Sequence, residues 1–375
     1  MSSYLDYYCK NIEASNDTGN FIKGICYTMC PQDEVKLREQ NHMVHILEVS
    51  GPVKKMVKSY SRSAADSNLS KPHLLRPYNV LKETVDYLLL EVTKRCDVSM
   101  CLIYDFINDR LRAVRQDITI QRLPPEQCVN LLEPMIRFYV YYGYRLCEYP
   151  ACDFDPVLNK KYLLECLKWF LSCCDHLQVS ESSAQINELS GFLSKMELKA
   201  RNGKNLTCDR ALMEALYILC NLDDVHPLYR YLKLPADIKS NSTMQLSYKI
   251  AMAHLKGNFV RVSKQMKKLC PLTYCALFIH LPAIQRHALQ VLTVAYSSKQ
   301  LSVPIDILRR WLWFDSSGAA SDVCTHYGLR ASGGAVQLFK GDFKTDIVIH
   351  QPKKHLLHDE KLNMNVEHIF TYSSL

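Results

Sequence analysis

Apolar side chains recur at helical spacing along most of this chain, and no other feature limits its possible folds so strongly. Leu163, Cys166, Leu167 and Phe170 follow the i, i+3, i+4, i+7 pattern of the buried stripe of a helix. Similar patterns, separated by prolines and glycines, occupy the ranges 80–94, 100–121, 132–143, 211–222, 244–255 and 283–295. The sequence therefore predicts a mainly α-helical protein.

The way these helices connect favours stacking. About ten helices joined by short loops form antiparallel pairs, and such pairs stack into an α-solenoid. No fixed repeat period is visible in the 375 residues, so the predicted solenoid is irregular, and one compact bundle is the alternative. Only 12 glycines are present, which disfavours barrels, sandwiches and phosphate-loop enzymes because these need many tight turns.

The C-terminal part of the chain shows short helices followed by a hairpin. Pro304 is predicted to begin a helix at its first position, where an N–H would have no helical partner. Helical spacing over 305–312 and 320–327 predicts two helices, and the Ser-Gly-Gly turn at 332–334 predicts a β-hairpin. With the helix at 283–295 in front, this is the order of elements in a winged helix.

Positive charge is concentrated in the last third of the chain. Residues 229–354 contain 18 Lys and Arg, six Asp and no Glu, a net charge of +12, whereas the whole chain carries only +8. Charge of one sign gathered in one region predicts an anionic partner, here a nucleic-acid backbone. The cations beside the predicted helices and hairpin are the candidate nucleic-acid contacts: Arg309, Arg310, Arg330, Lys340, Lys344, Lys264, Lys267 and Lys268.

The placement of these charges indicates how nucleic acid would be bound. The predicted helix at 319–327 contains no Lys or Arg and carries Asp322, although in a DNA-reading winged helix this helix enters the major groove. Lys264, Lys267 and Lys268 are spaced for one basic helical face. The pattern favours binding of a nucleic-acid backbone or a protein over reading of base edges. A solvated charged surface is the alternative without function.

Two cysteines and two histidines near the N-terminus, Cys26, Cys30, His42 and His45, superficially resemble zinc ligands. Their spacing does not match a zinc finger, because 11 residues separate Cys30 from His42 and only two separate the histidines. Pro31 followed by acidic residues instead predicts the start of a helix, with both histidines on it. We favour this structural interpretation over a metal site.

Two further motifs allow a functional and a structural interpretation. The aromatic run at 138–144 could stack nucleobases, but aromatic residues at helical spacing more often belong to a core. Asp153 and Asp155 could hold a cation, but carboxylates in a proline-bounded loop more often cap a helix. We favour the structural interpretation of both.

The sequence contains no recognisable catalytic motif, whether of the serine-hydrolase, phosphate-loop, dinucleotide-binding or zinc-protease type. We therefore predict a protein that is not an enzyme, with no cofactor, no metal and no small-molecule substrate. An enzyme with a noncontiguous site is the remaining alternative. Neither a signal peptide nor an apolar stretch of about 18 residues is visible, so we expect an intracellular protein with no membrane contact and with its 16 cysteines reduced.

Several runs resemble the Sac/GANP family, whose larger members scaffold the TREX-2 messenger-RNA export complex. The matching runs are Gly-x-Cys-x-x-Met-Cys-Pro at 24–31, Val-Lys-x-Tyr-Ser-Arg-Ser-Ala-Ala at 57–65, Leu-Arg-Pro at 75–77, the Asp-Phe-x-x-Asp-Arg-x-Arg helix motif at 105–119 and the approach to the last module at 286–296. Together they extend from Gly24 to Gly341, which is nearly the whole chain.

The resemblance implies an irregular helical-repeat body of the TPR or PCI type, closed by a winged helix with a small β-hairpin. With the patterns above, it gives a flexible segment at 1–22, a helical-repeat body at 23–282, a winged-helix module at 283–345 and a tail at 346–375. We expect the tail to be weakly ordered.

The resemblance also implies partners: a PCI-domain protein, a small acidic subunit of the Sem/DSS type, and RNA or another single-stranded nucleic acid. Trp311, Trp313 and Phe314 are then the candidate partner contacts. The implied role is a non-enzymatic scaffold in nuclear mRNA export, located in the nucleus and cytoplasm. Short relatives of this family are associated with centrosome duplication and the spindle, so a centrosome and spindle factor that acts through protein contacts is the alternative.

Overall fold

The computed structural model describes residues 22–51, 53–62, 71–192, 208–356, 358–360 and 369–370. The chain forms two compact units, the first from residues 1–139, 160–209 and 370–375 and the second from residues 140–159 and 210–369. Most of the expected flexible segment at 1–22, and the last three residues of the 57–65 motif, lie outside the described residues.

Helices dominate the first unit. They are α1 (Gln32–Gln40), α2 (Tyr78–Leu90), α3 (Met100–Gln121) and most of α4 (Pro125–Arg145) and α5 (Pro156–Phe192). Two short antiparallel strands, β1 (Val49–Ser50) and β2 (Val53–Lys54), lie between α1 and α2. The prediction of a mainly helical protein is confirmed for this unit.

Helix α3 shows how the local sequence sets an element. Ser99 caps its N-terminus by accepting a hydrogen bond from the Leu102 N–H at 3.3 Å. Its apolar stripe, which includes Ile107, Leu111 and Val114, is fully buried. The helix ends where Arg122 takes a left-handed conformation with a φ of 49°, which directs its N–H back to the last carbonyl groups.

The second unit continues the helical pattern. Its body contains α6 (Arg210–Cys220), α7 (His226–Lys233), α8 (Ala236–Ser240), α9 (Ser242–Leu255), α10 (Phe259–Met266), α11 (Pro271–Phe278) and α12 (Leu281–Ala295). Helix α6 is central here, since it packs against α7, α8, α9 and α11 and is buried from Met213 to Cys220. Short connections between successive helices are what the helical-repeat prediction requires.

A small sheet and two more helices follow α12. The elements are β3 (Ser302–Pro304), α13 (Ile305–Leu312), α14 (Ser317–His326), β4 (Arg330–Ser332) and β5 (Ala335–Gln337). Strand β5 lies between β3 and β4 and pairs antiparallel with both. We call residues 281–345 the C-terminal module. Its order of helices and hairpin is the predicted one, so a mainly helical fold with a small C-terminal β element is confirmed.

The predicted hairpin turn is present, whereas strand β3 was missed. Gly333 and Gly334 have φ values of 59° and 76°, and a two-residue hairpin turn of this kind needs positive φ at both positions. Pro304 was expected inside the helix but instead ends β3 opposite Ala335. A three-residue strand whose partner is far away in the chain leaves no alternating pattern in the sequence.

The C-terminal module has its own apolar core. Leu289 of α12, Leu308 of α13, Cys324 of α14 and Val336 of β5 are fully buried in one cluster. Trp311, expected on the inner face of α13, is only partly buried against this cluster. The cluster therefore fixes the relative positions of α13, α14 and the hairpin.

Residues 346–356 and 358–360, which we call the C-terminal segment, belong to the second unit and pack against its other parts. His350 Nε2 lies 2.9 Å from Gln285 Oε1, the Lys354 N–H donates to Glu148 Oε1 at 2.7 Å, and Asp359 pairs with Arg145. The expected weak order is wrong for these residues. Their polar composition did not indicate this order, because it depends on hydrogen-bond partners that lie far away in the sequence.

The compact units and the predicted domains divide the chain differently. Helices α4 and α5 contribute to both units, with residues 140–145 and 156–159 assigned to the second. The predicted boundaries after residues 22, 282 and 345 stay predictions.

Candidate nucleic-acid and partner surface

Helix α13 carries two of the predicted nucleic-acid contacts, Arg309 and Arg310. Arg309 Nε lies 3.6 Å from Asp306 Oδ1, and Arg310 Nε donates to the Asp306 carbonyl oxygen at 3.3 Å. These contacts are at the surface, where an ion pair is weak. Arg310 is exposed and remains available to an anion, whereas Arg309 is half-buried and its Nη1 donates to the Asp315 carbonyl oxygen at 3.4 Å.

The hairpin and the residues after it carry three more predicted contacts. Arg330 lies on β4 with its side chain 75% exposed and its Nε 3.4 Å from Asp342 Oδ2. Lys340 is exposed beyond β5, and the Lys344 N–H donates to the Tyr327 carbonyl oxygen at 2.9 Å. The structure therefore places cations on the hairpin and at its base, as predicted from the sequence, although their role stays a prediction.

Sequence analysis missed Lys299, an exposed cation before β3. Its ammonium group lies 5.2 Å from the ring centre of Phe339, within the range of a cation–π contact. The loop that carries it is joined to the hairpin, since the Ser298 N–H donates to the Leu338 carbonyl oxygen at 3.1 Å. The proximity of Lys299 to Lys340 could be predicted only if β3, which pairs with β5, were recognised in the sequence.

The lysines near α10 differ from the prediction. Helix α10 ends at Met266, so Lys264 lies on it but Lys267 and Lys268 lie in the turn that follows. The expected single basic helical face is wrong because the chain leaves the helix one residue before Lys267. Lys267 instead places its ammonium group 5.7 Å from the ring centre of Trp313.

Helix α14 lies among these cations without carrying one. It contains neither Lys nor Arg, and its Asp322 carboxylate is exposed, 3.7 Å from the ammonium group of Lys353. A helix with this charge would repel phosphates at the position where a DNA-reading winged helix approaches bases. The geometry therefore permits phosphate contacts around α14 but not along it.

The three candidate partner contacts lie at the end of α13. Trp313 has a left-handed φ of 58°, and its indole N–H donates to the Tyr274 hydroxyl at 3.1 Å. Phe314 is buried in the core of the C-terminal module. Trp311 and Trp313 are both half-buried, and the partner assignment of all three stays a prediction.

The C-terminal segment passes close to these aromatic residues. The His355 ring stacks on Trp313 with 5.4 Å between ring centres, and His355 Nε2 lies 3.3 Å from Asp315 Oδ1. Burial lowers the pKa of His355, while Asp315 acts in the opposite direction. No sequence pattern indicated this contact, because His355 lies in the part that was expected to be a weakly ordered tail.

A cavity of about 340 Å³ lies between this segment and the C-terminal module. Aromatic and polar side chains line it, among them Tyr274, Phe278, Gln285, Trp313, Asp315 and His350. His350 is held there by Gln285 Oε1 at 2.9 Å and by the Tyr327 hydroxyl at 3.1 Å. Burial, with smaller contributions from His326 and Lys353, lowers the pKa of His350 to about 4, so this imidazole is neutral at physiological pH.

The motifs that carry the family resemblance converge on buried charges in the first unit. Asp117 of α3 accepts hydrogen bonds from Lys58 Nζ at 2.6 Å and from Arg76 Nε at 2.7 Å. The Gly24 N–H donates to Gln121 Oε1 at 2.9 Å, one helical turn further on. The runs at 24–31, 57–65, 75–77 and 105–119 are therefore parts of one internal network.

A second buried carboxylate, Glu48, ties the same segments together. It pairs with Arg38 and with Arg110, the latter at 3.3 Å, and accepts the Val57 N–H at 3.0 Å. Burial alone would raise the pKa of Glu48, but the hydrogen bonds from Val57 and Arg38 and the charge of Arg110 lower it overall. These residues hold the fold together. Val57 and Arg110 lie in runs that carry the family resemblance, but sequence reasoning gave none of these residues a structural role.

The four residues weighed as zinc ligands have structural roles. Cys26 and Cys30 are buried, and burial raises the pKa of Cys30 to about 12, which keeps this thiol protonated. His45 Nδ1 accepts the Leu47 N–H at 3.2 Å as a helix cap. The expectation that both histidines lie on α1 is wrong, because α1 ends at Gln40 and His42 has a left-handed φ of 54°.

The two other ambiguous motifs are also structural. The aromatic run at 138–144 is buried throughout. Asp155 Oδ1 accepts the N–H groups of Val157 and Leu158 at 2.8 and 3.0 Å, which caps α5. In the ranges that the structure describes, no three or more His, Cys, Asp or Glu side chains are grouped to hold a metal ion. Within the same ranges, no helix is long and apolar enough to cross a membrane.

The model of the SAC3/GANP family matches residues 29–333, from the N-terminal motif to the hairpin turn. This chain belongs to the SAC3/GANP family. The buried network and the C-terminal module are therefore features of a SAC3/GANP domain.

Several curated proteins are similar to this SAC3/GANP chain. Protein xmas of Drosophila melanogaster is 27% identical over 82% of the chain, SAC3 family protein B of Arabidopsis thaliana 23% over 95%, and SAC3 family protein 1 of Schizosaccharomyces pombe 25% over 82%. The alignments cover 14%, 20% and 30% of those proteins, respectively. The chain thus corresponds to a minor part of each relative's length.

Proposed function

We propose that this chain is a non-enzymatic scaffold of the SAC3/GANP family that binds the backbone of single-stranded nucleic acid, RNA in particular, through its C-terminal module. The observation that carries this proposal is the charge distribution of the module. Arg310, Arg330 and Lys340 are exposed and Arg309 is half-buried on α13 and the hairpin, whereas α14 carries Asp322 and no cation. Cations that surround a helix, with none on the helix itself, can contact phosphates but do not read base edges.

The module is proposed to act as a winged helix. Its three helices, followed by a hairpin whose strand β5 lies between β3 and β4, support this assignment. Lys299 and Lys340 would then lie at one end of the wing, and Lys264, Lys267 and Lys268 would extend the basic surface toward α10.

The proposed process is nuclear mRNA export. Similarity to relatives named SAC3 family proteins, together with the TREX-2 role that the family resemblance implies, supports it. A PCI-domain protein and a small acidic Sem/DSS-type subunit are the proposed partners, and the nucleus and cytoplasm the proposed locations. Trp311, Trp313 and Phe314 are the proposed partner contacts, of which the two tryptophans are half-buried and Phe314 is buried.

Fluorescence anisotropy with a labelled single-stranded RNA, recorded over a series of salt concentrations, tests the nucleic-acid proposal. Each phosphate contact contributes about 0.7 to the slope of log affinity against log salt for single strands. Reversing Arg309, Arg310, Arg330 and Lys340 to Glu should weaken binding and flatten this slope. The matched control reverses four exposed lysines outside the module: Lys36, Lys54, Lys71 and Lys82. An equal loss of RNA affinity in the two variants, or no loss in either, would contradict the assignment of these four residues as nucleic-acid contacts.

A centrosome and spindle factor that acts only through proteins is the second candidate. The exposed Asp322 on α14 favours it, since an acidic helix offers a better contact to a protein than to nucleic acid. Imaging the tagged chain in cycling cells separates the two candidates. Accumulation at centrosomes without nuclear signal would favour the second.

A further inference from the structure

The helix motif at 105–119 uses most of its charged side chains inside the fold. Asp109 accepts the Tyr60 N–H at 3.1 Å, Arg110 pairs with Glu48 at 3.3 Å, and Arg115 pairs with Glu165 at 3.2 Å. Asp117 binds Lys58 and Arg76, as described above. Arg112 differs, because its contacts among the described residues are with aromatic rings and not with a carboxylate.

Arg112 is instead held between two tyrosine rings. Its guanidinium carbon lies 3.8 Å from the ring centre of Tyr60 and 5.2 Å from that of Tyr162. A cation–π contact engages the face of a guanidinium group, so its N–H groups can still bind an anion. Arg76, Arg110 and Arg115 each have a nitrogen that is buried without a partner, and Arg112 has none. Its donors therefore reach solvent in a fixed orientation.

Among the described residues, this stack lies in positively charged surroundings. The carboxylates on the neighbouring turns, Asp109 and Glu165, are already paired with Arg110 and Arg115. Arg62 and Lys161 lie beside the two tyrosines in the sequence and are exposed. An oriented guanidinium group in such surroundings suits an anion that accepts two parallel hydrogen bonds.

We propose that the Tyr60–Arg112–Tyr162 stack binds a phosphate of single-stranded RNA, as a contact in the first unit that is separate from the C-terminal module. This rests on the proposed function in taking RNA as the ligand. Phosphate matches the planar fork of arginine, and single-stranded nucleic acids bind where basic groups and aromatic rings alternate. A carboxylate of an acidic peptide offers the same hydrogen bonds and is the competing ligand.

The test measures RNA anisotropy of the full chain over a salt series. Arg112→Gln removes the charge but keeps a planar group between the rings, and Arg112→Lys keeps the charge but removes the fork. We expect Arg112→Gln to lower affinity about tenfold at low salt and to reduce the salt slope by about 0.7. Arg112→Lys should restore the slope with weaker binding. Lys71→Gln, an exposed cation of the same unit, is the matched control and should change neither quantity.

A purely structural role for Arg112 makes the opposite prediction. Both Arg112 variants would then show a lower thermal midpoint with the affinity and slope of the wild type, and this result would overturn the proposal. The proposal would also be overturned if an acidic peptide bound the wild type but not Arg112→Gln, while both proteins bound RNA equally well.

The same measurement separates this proposal from the one on the module. If the reversal of Arg309, Arg310, Arg330 and Lys340 has no effect while Arg112→Gln weakens binding, the stack is supported and the module is not. The reverse result overturns the stack alone. Absence of RNA binding by the wild-type chain would overturn both.

Discussion

Lys58 Nζ donates to Asp117 Oδ1 at 2.6 Å, and both side chains are almost completely buried. Arg76 Nε reaches the other oxygen of the same carboxylate at 2.7 Å, so one anion serves two cations in the interior. Their mutual attraction is strong at low dielectric, and each group depends on the others to offset its lost hydration. The sequence runs around these three residues belong to one stabilising unit.

Asp117→Asn is expected to destabilise the protein strongly. Lys58 and Arg76 would remain buried without a compensating charge, and breaking a buried pair in this way costs about 3–5 kcal/mol. Equilibrium urea unfolding measures the loss. Asp86→Asn removes an exposed carboxylate that pairs with Lys82 and should cost less than about 1 kcal/mol. Similar losses in the two variants would contradict the role given to Asp117.

The pH dependence of stability should report on Glu48. Its pKa is lowered in the folded state, so its contribution is present above the usual pKa of a glutamate and is lost as the pH falls through the folded value. Glu48→Gln should therefore be less stable than the wild type at pH 7, with a difference that shrinks on acidification. Thermal midpoints recorded between neutral and acidic pH test this. Glu39→Gln, at an exposed pair with Lys54, is the control and should run parallel to the wild type.

His350 should make the protein sensitive to mild acid. Its pKa is lowered from 6.5 to about 4, so protonation favours the unfolded chain, and stability falls as the pH drops from 6.5 toward 4. Between pH 6.5 and pH 5 this loss amounts to about 2 kcal/mol.

The comparison of wild type and His350→Gln by urea unfolding at pH 7 and pH 5 isolates this effect. The variant should lose less stability on acidification than the wild type. His73→Gln, at a half-exposed histidine, should leave the difference between the two pH values unchanged. A wild-type loss that persists in His350→Gln would assign the sensitivity to another group.

Two glycines should respond in opposite ways to alanine. A Cβ at Gly24 would lie 2.3 Å from the Leu75 carbonyl oxygen, and relieving such a clash with the backbone costs about 1–3 kcal/mol. At Gly318, within α14, the nearest atom would be 3.7 Å away, so alanine should stabilise the helix by about 0.5–1 kcal/mol. Thermal midpoints of Gly24→Ala and Gly318→Ala test the expected loss and the expected gain of stability. A loss of stability in Gly318→Ala, where no clash is present, would contradict the assignment of the Gly24→Ala loss to the clash.

Much of the fold could be predicted from the sequence because its signals are local. Apolar spacing located the helices, and the Gly333-Gly334 turn located the hairpin. Strand β3 and the contact of His350 could not be predicted, because their partners, Ala335 and Gln285, lie more than 30 residues away in the sequence. No periodicity records a contact over such a separation.

The candidate site was predicted only in part for the same reason. Composition identified the cations of the C-terminal module, but the end of α10 at Met266 and the position of Lys299 depend on tertiary packing. The stack around Arg112 joins Tyr60 to Tyr162, two residues from distant parts of the chain. The sequence alone shows that an arginine is present, but it does not show that two tyrosine rings contact it.

The network around Asp117 has a consequence for the order in which the protein is made. Lys58 and Arg76 are synthesised 59 and 41 residues before Asp117. At about 5–20 residues per second, Lys58 waits for about 3–12 s before its carboxylate leaves the ribosome. During that time both cations stay hydrated on an unfinished chain. Formation of this network is therefore timed by the emergence of α3. A slow stretch of translation before residue 121 would lengthen the interval in which a nascent chain exposes its apolar residues to chaperones.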